Sequence, residues 1–333
     1  MEAVPHVSIP YLTILGPAAV VGSLGNVAVL SAILLNHNLH KPQSVFLVSL
    51  AIADIIVTNV MDPLSVIGEC MVEGRGFFES RPVLCDIAAV ICVVACVAAL
   101  LNIGAISFTQ YIFICHPHQA KTICSTRNCA LMALFFWVVG TAVALPTLLG
   151  WSNNVYDHKM LECIWDRTHS FSYTVFYTSV AVFGPLVLIS FSYVRIYRHV
   201  TLVKKRIGQQ QQADAPGKNM SQPSKDKLRN DAIRLAKTLF IIFIVFAVCW
   251  MPYSVLVLID YDDRFPHEVH LYALLLAHLH ATADPIVYGI TNKHFQDGYR
   301  KLLYVLTCKK FASLGPRAVP SSVAMENSAR FTR

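Results

Sequence analysis

An all-α membrane protein is the fold class this sequence predicts: a seven-transmembrane helix bundle with a short amphipathic helix eight on its cytoplasmic side. Three observations predict it. Of 333 residues, 55% are hydrophobic and only 14% charged, too apolar for an ordinary water-soluble domain. The apolar residues gather into seven runs, each long enough for a hydrocarbon core of about 30 Å. The charges are sorted by loop, and positive and negative loops alternate along the chain.

The elements follow in order. Residues 1–9 are a short tail, and the membrane body is 10–291. Its spans fall at 10–35, 44–68, 82–114, 129–150, 171–198, 234–260 and 268–291. The first is too long for a cleaved signal, lacks a basic leader and has no small-residue cleavage site, so it is read as a retained helix. Arg195, Arg198, Lys204, Lys205 and Arg206 follow helix five, and Lys225, Lys227, Arg229, Arg234 and Lys237 lead into helix six. Glu69, Glu73 and Glu79 follow helix two; Asp260, Asp262 and Asp263 follow helix six. Positive-inside logic puts the N-terminus outside and the C-terminus in the cytoplasm of a multi-pass membrane protein. The net charge of +7 is thus a topology signal, not a nucleic-acid footprint.

The loop 199–233 is basic, and its polar stretch "GQQQQADAPGKNMSQPSKD" is expected to be disordered. Its Asn219-Met220-Ser221 lies on the cytosolic side, where it cannot be glycosylated. Residues 292–305 place Phe295, Tyr299, Leu302 and Leu303 on one helical face and Lys293, Arg300 and Lys301 on another, which suits the inner surface of a bilayer. In the tail, 306–333, Cys308 is a palmitoylation candidate, with a free thiol the equal alternative. No internal repeat is visible, which disfavours a transporter or channel. Of ten cysteines, Cys85 and Cys163 fall at predicted outer ends where an oxidising compartment would pair them; Cys70 is a third exterior candidate.

Polar and proline residues inside lipid-spanning helices are costly, and each helix but one carries a marked element. Gly25-Asn26 lies in helix one, Asp54 in helix two, Trp137 in helix four, Pro185 in helix five, "CWMP" to Pro252 in helix six, and "DPIVY" from Asp284 through Pro285 to Tyr288 in helix seven. Together these resemble the rhodopsin-like (class A) G-protein-coupled receptors over nearly the whole chain. The Cys85 position, Pro63 in helix two and Tyr193 in helix five fit the same pattern. Local strings resemble the melatonin-receptor and opsin branches: "QYIFICHP" and the end of helix seven the former, "GWSNNVYDHKMLECIWD" the latter.

The resemblance implies a plasma-membrane receptor, not an enzyme, that passes ligand binding to a heterotrimeric G protein. Arrestin, a receptor kinase and membrane lipids are further implied partners. A covalent retinal needs a lysine seven residues before the helix-seven proline, where this chain has His278, so no such cofactor is expected. The hydrogen-bonding Asn and Gln of melatonin-type sites are Thr147 and Arg167 here, although an aromatic survives as Trp165. The amine counter-charge position is Cys92. Matching positions put Cys92, Val93, Cys96, Trp165, Arg167, Trp250, Tyr253, Ser254 and His278 around the ligand, an apolar pocket with few polar points for a small apolar or lipid-like molecule oriented by one or two polar contacts. Arg167 is read as a solvated loop residue rather than a carboxylate anchor. A soft-metal site at Cys92 and Cys96, and zinc or proton sensing by His267, His270 and His278, are set below packing and solvation, and no metal is expected.

The resemblance also implies an activation network of Asn26, Asp54, Trp250, Pro252, His280, Asp284, Pro285, Tyr288 and Tyr193. Asp54, His280 and Asp284 cannot all be charged near the bilayer midplane, so they are expected to share protons. The family's Asp-Arg-Tyr triplet reads Thr109-Gln110-Tyr111, with Gln110 at the arginine position 25 residues past Cys85. Asp231 and Ala232 stand where an acid at the base of helix six would complete the latch. The off state therefore lacks a charge-assisted pair worth about 1–3 kcal/mol, and coupling is expected to be altered. The alternative is a non-coupling or arrestin-biased receptor or heteromer partner.

Overall fold

The structure, a computed structural model, describes residues 9–70, 74–213 and 223–307. Seven of its helices are long and apolar enough to cross a membrane: α1 (Ile9–Leu35), α2 (Ser44–Ile67), α3 (Pro82–Cys115), α4 (Thr126–Leu148), α5 (Phe171–Val203), α6 (Phe240–Ile259) and α7 (His267–Thr291). The amphipathic α8 follows at Lys293–Thr307. Cys308 lies outside the described residues, as do Asn219 and Ser221.

The spans differ from the predicted ranges only at their ends, and local chemistry accounts for the shifts. Ser125 starts α4 three residues early by accepting a hydrogen bond from the Asn128 amide at 3.2 Å. The cytoplasmic loop is more helical than expected. The helix containing α5 continues to Ala213, and the one containing α6 begins at Pro223. The expectation of disorder over 208–226 is corrected at both ends, where Gln, Lys and Arg are good helix formers.

Two π turns, Val57–Met61 in α2 and Ser179–Phe183 in α5, each precede a proline closely. A proline lacks the N–H for its ladder bond and crowds the carbonyl one turn earlier, so the helix absorbs an extra residue. In α2 this leaves Asp62, beside Pro63, buried.

Helix α3 lies at the centre of the bundle, lined by small residues including Ala88, Ala89, Ala95, Ala98 and Ala99, all buried. Small residues let backbones approach where lipid supplies no hydrophobic drive between helices. Among the described glycines Gly140 of α4 approaches neighbouring backbone most closely: a Cβ there would sit 2.8 Å from the Val94 carbonyl. Outward residues such as Leu24, Leu34, Leu134, Val187 and Ile290 are exposed and form an apolar belt. Ser49 joins three helices, its hydroxyl accepting from Asn102 Nδ2 at 2.9 Å and Trp137 Nε1 at 3.0 Å.

At one end of the bundle, helix α8 docks by its aromatic residues. Phe295 stacks on Tyr288 with ring centres 4.9 Å apart, and the Tyr299 hydroxyl donates to the Pro285 carbonyl at 3.1 Å. The predicted apolar face therefore splits, Phe295 and Tyr299 turning inward and Leu303 outward. At the other end a two-stranded hairpin plugs the bundle: β1 (Asn154–Asp157) pairs antiparallel with β2 (Glu162–Trp165). All four residues of β2 are buried. The Cys85–Cys163 disulfide ties β2 to the start of α3, so Cys85 pairs with Cys163 rather than Cys70.

Candidate functional site

Beneath the hairpin the predicted pocket residues converge. Cys92, Val93 and Cys96 face inward from α3, Trp250, Tyr253 and Ser254 from α6, and His278 from α7, all buried. Trp165 of β2 forms the ceiling. Its ring packs on Tyr177 at 4.2 Å, and its Nε1 donates to the Thr174 hydroxyl at 3.1 Å. The aromatic rings then descend in steps. Trp165 meets Tyr253 at 6.3 Å, Tyr253 meets Trp250 at 6.0 Å, and Trp250 meets His280 at 5.5 Å. Trp250 Nε1 and Ser254 Oγ are buried with no hydrogen-bond partner among the described residues.

To the few polar points expected among these residues, the structure adds two buried acids beside His278. His278 Nδ1 lies 2.9 Å from Asp62 Oδ1, and its Nε2 lies 3.5 Å from Glu162 Oε2. Cys92 completes the group, its sulfur within 4.8 Å of the nearest His278 and Glu162 ligand atoms. Burial pushes the Glu162 carboxyl up to about 7; His278 opposes that shift and the Asp62 carboxyl adds to it. Neither Asp62 nor Glu162 was among the predicted pocket residues. Asp62-Pro63 at a helix bend was the available signal for the first; Glu162 reads in sequence as one more acid in a polar loop.

Arg167 also corrects the sequence reading, because it is not solvated. Only 3% of its side chain is exposed. Its Nε donates to Asp157 Oδ2 at 3.1 Å, Nη1 to the Asp260 carbonyl at 3.2 Å, and Nη2 to Asp263. Burial works against the charge, but the carboxylates of Asp157 and Asp263 outweigh it and hold the guanidinium above its ordinary pKa. Lys159 reaches the same loop, its Nζ 3.0 Å from Asp263 Oδ1. Asp263 adopts a left-handed φ of 56° to present that carboxylate. His270 is fully buried, its Nε2 3.0 Å from Asp260 Oδ2, and so is not a solvated helix-end histidine either. His267 stays at the surface margin. Arg167, Asp157, Lys159, Asp260, Asp263 and His270 together clamp the hairpin to the loop between α6 and α7.

At mid-bundle, Asn26 Nδ2 donates to the carbonyls of Gly22 and Ala281, at 3.0 and 2.8 Å, joining α1 to α7. His280 Nδ1 lies 2.6 Å from the Ala277 carbonyl, which only accepts, so that nitrogen carries a proton. The other nitrogen, Nε2, faces Asp54 Oδ1 at 3.5 Å. Asp284 is buried in the same region, beside Pro285 in α7. Pro252 lies within α6, two residues before Ser254.

The Thr109-Gln110-Tyr111 triplet lies toward the helix-eight end of α3. Thr109 and Gln110 are buried, and the Thr109 hydroxyl donates to the Ile106 carbonyl at 3.0 Å. Tyr111 turns aside, its hydroxyl 2.9 Å from His116 Nε2 and its ring edge-on to Phe191 at 5.8 Å. Tyr193 packs against Phe240 and Phe243 of α6, at 5.2 and 6.0 Å. The backbones of Asp231 and Ala232 are helical, in the segment leading into α6.

Residues 25–288 match the family described as 7 transmembrane receptor (rhodopsin family). The chain is 26% identical over 322 residues to melatonin receptor type 1B-B of Danio rerio, covering 92% of this chain and 88% of that receptor. It is 27% identical over 301 residues to melatonin receptor type 1A of Mus musculus, covering 88% and 80%. The crystal structure of squid rhodopsin superposes with a TM-score of 0.74 at 20% identity, covering 91% of this chain and 87% of that one, which is a likeness of fold. The chain belongs to the rhodopsin family of seven-transmembrane receptors: a multi-pass membrane receptor of the G-protein-signalling class, related to the melatonin receptors, and not an enzyme.

Proposed function

We propose that the protein senses a small extracellular molecule under the hairpin and signals to a heterotrimeric G protein, with coupling altered by Thr109-Gln110. The hairpin end then faces outward and α8 lies on the cytoplasmic leaflet, as the basic loops require. One observation carries the reading: the pocket aromatics continue without a break from Trp165 to the Trp250–His280 contact, and His280 faces Asp54. A ligand that favours a different Trp250 position shifts the His280–Asp54 pair with it, and α7 carries that shift to Tyr288 and α8.

Melatonin-type recognition is not supported. The Thr147 hydroxyl is turned to its own helix, donating to the Ala144 carbonyl at 2.9 Å, and Arg167 is engaged by three aspartates. Retinal attachment is likewise unsupported, because His278 cannot form a Schiff base and is held by Asp62. The acids Asp62 and Glu162 favour a ligand with a polar or cationic group set in an aromatic surround, narrower than the apolar molecule the sequence suggests.

A second reading, a receptor that recruits arrestin without activating a G protein, draws on the uncharged, buried Gln110. The deciding experiment is a ligand-library screen read in parallel by G-protein dissociation and arrestin recruitment. Ligand-dependent nucleotide exchange with Gln110 in place supports coupling; arrestin recruitment with no exchange on any Gα class sinks it.

A further inference from the structure

We propose that Cys92, Glu162 and His278 are the protein ligands of a Zn2+ site at the hairpin end of the bundle. The three residues come from α3, β2 and α7, and their donor atoms all lie within 4.8 Å of one another. Tetrahedral zinc, with bonds of about 2.3 Å to sulfur and about 2.0–2.2 Å to nitrogen and oxygen, needs donors roughly 3.5 Å apart, so a contraction of about 1 Å closes the site. All three side chains are buried, Glu162 to 1% exposure.

Two further observations point to a ligand here. Neither Glu162 carboxylate oxygen accepts a hydrogen bond among the described residues, although both are buried. His278 hydrogen-bonds through Nδ1 to Asp62, which orients Nε2 toward Glu162 and the Cys92 sulfur. A carboxylate holding one nitrogen of a histidine while the other binds metal is the usual outer support of a zinc ligand. Thiol, imidazole and one carboxylate suit zinc, whereas Mg2+ and Ca2+ prefer oxygen donors alone. The neighbouring group Asp260, Asp263 and His270 has no such vacancy for a cation, because Arg167 and Lys159 already fill it with positive charge.

Three protein ligands leave zinc's fourth position for water or a donor atom of a small molecule. Zinc would join α3, the hairpin and α7, and so favour whichever receptor state brings these elements together. The proposal deepens the small-ligand reading and rests on it for any effect on signalling, but binding itself is measured independently.

The test uses purified full-length receptor in detergent, titrated with Co2+ and back-titrated with Zn2+. The expected result is a thiolate-to-cobalt charge-transfer absorption at one ion per receptor, displaced by Zn2+ and untouched by Mg2+. Cys92→Ser removes the band, Cys115→Ser at the far end of α3 keeps it, and Asp62→Asn weakens Zn2+ about 10–100-fold. Absence of the band in the wild type overturns the site, and so does a band that survives Cys92→Ser. Should Cys92→Ser not reach the membrane, Glu162→Gln with an intact disulfide must weaken Zn2+ at least about tenfold, and unchanged affinity overturns the site. Zinc binding without nucleotide exchange would sink the coupling proposal alone, and exchange without zinc binding would sink this one alone.

Discussion

Arg167 carries more of the hairpin's anchoring than its place in a loop suggests. Removing one partner from a buried charge cluster leaves the others uncompensated, at a cost of about 3–5 kcal/mol. Arg167→Ala should therefore lower the melting temperature of the purified receptor far more than Lys159→Ala, whose ammonium is partly exposed. The pH dependence follows in sign. Burial alone would raise the Asp263 carboxyl, but Lys159 and Arg167 outweigh it and hold it below its usual 3.8. Stability from Asp263 is then present above that value and lost as the pH falls through the lower folded-state value. Asp263→Asn should flatten the acid limb of a melting-temperature profile. At mid-bundle, Asp54→Asn removes the carboxylate that faces His280 Nε2 and should change both basal nucleotide exchange and its pH response; an unchanged profile would argue against proton sharing between the two.

At the scale of elements, helix contacts rest on a few residues with no side chain to spare. A Cβ at Gly140 meets backbone of α3, the Val94 carbonyl at 2.8 Å and its Cα at 3.2 Å, and backbone cannot step aside as a flexible side chain can. Gly140→Ala should cost about 1–3 kcal/mol by overpacking, read as a lower melting temperature with ligand selectivity retained. Gly16 of α1, with nothing within 4 Å, is the control and should tolerate alanine. The hairpin shows a similar economy. The Asp157 carboxylate accepts from the Lys159 and Met160 amides at 2.8 and 3.1 Å, shaping the turn, while its other oxygen holds Arg167.

For the whole molecule, the question is how the equilibrium between off and on states is set without the latch arginine. Gln110 is buried with no acid at position 109, so an arginine there would be uncompensated in the off state. In the on state it would reach a G protein as a charged donor. Both effects act in one direction, so Gln110→Arg should raise basal nucleotide exchange, by about tenfold for a difference of about 1.4 kcal/mol. Adding Thr109→Asp supplies the missing partner and should lower exchange again. A double variant more active than the single one would contradict this account of the latch.

The sequence by itself determined the membrane class, the seven spans, the amphipathic eighth helix and the family. Span length, loop charge and motif spacing are local quantities, and the register that puts Gln110 at the arginine position is a count along the chain. Matching positions also pointed to the residues, from Cys92 to His278, that converge beneath the hairpin. Only the tertiary structure decided their chemical company. Arg167 reads as a loop residue because its partners Asp260 and Asp263 lie 93 and 96 positions away. Asp62 meets His278 across 216 positions, and Glu162 enters the pocket only because the disulfide and the strand pairing turn β2 inward. Contacts between charged groups depend on distance in space, and folding alone sets that distance.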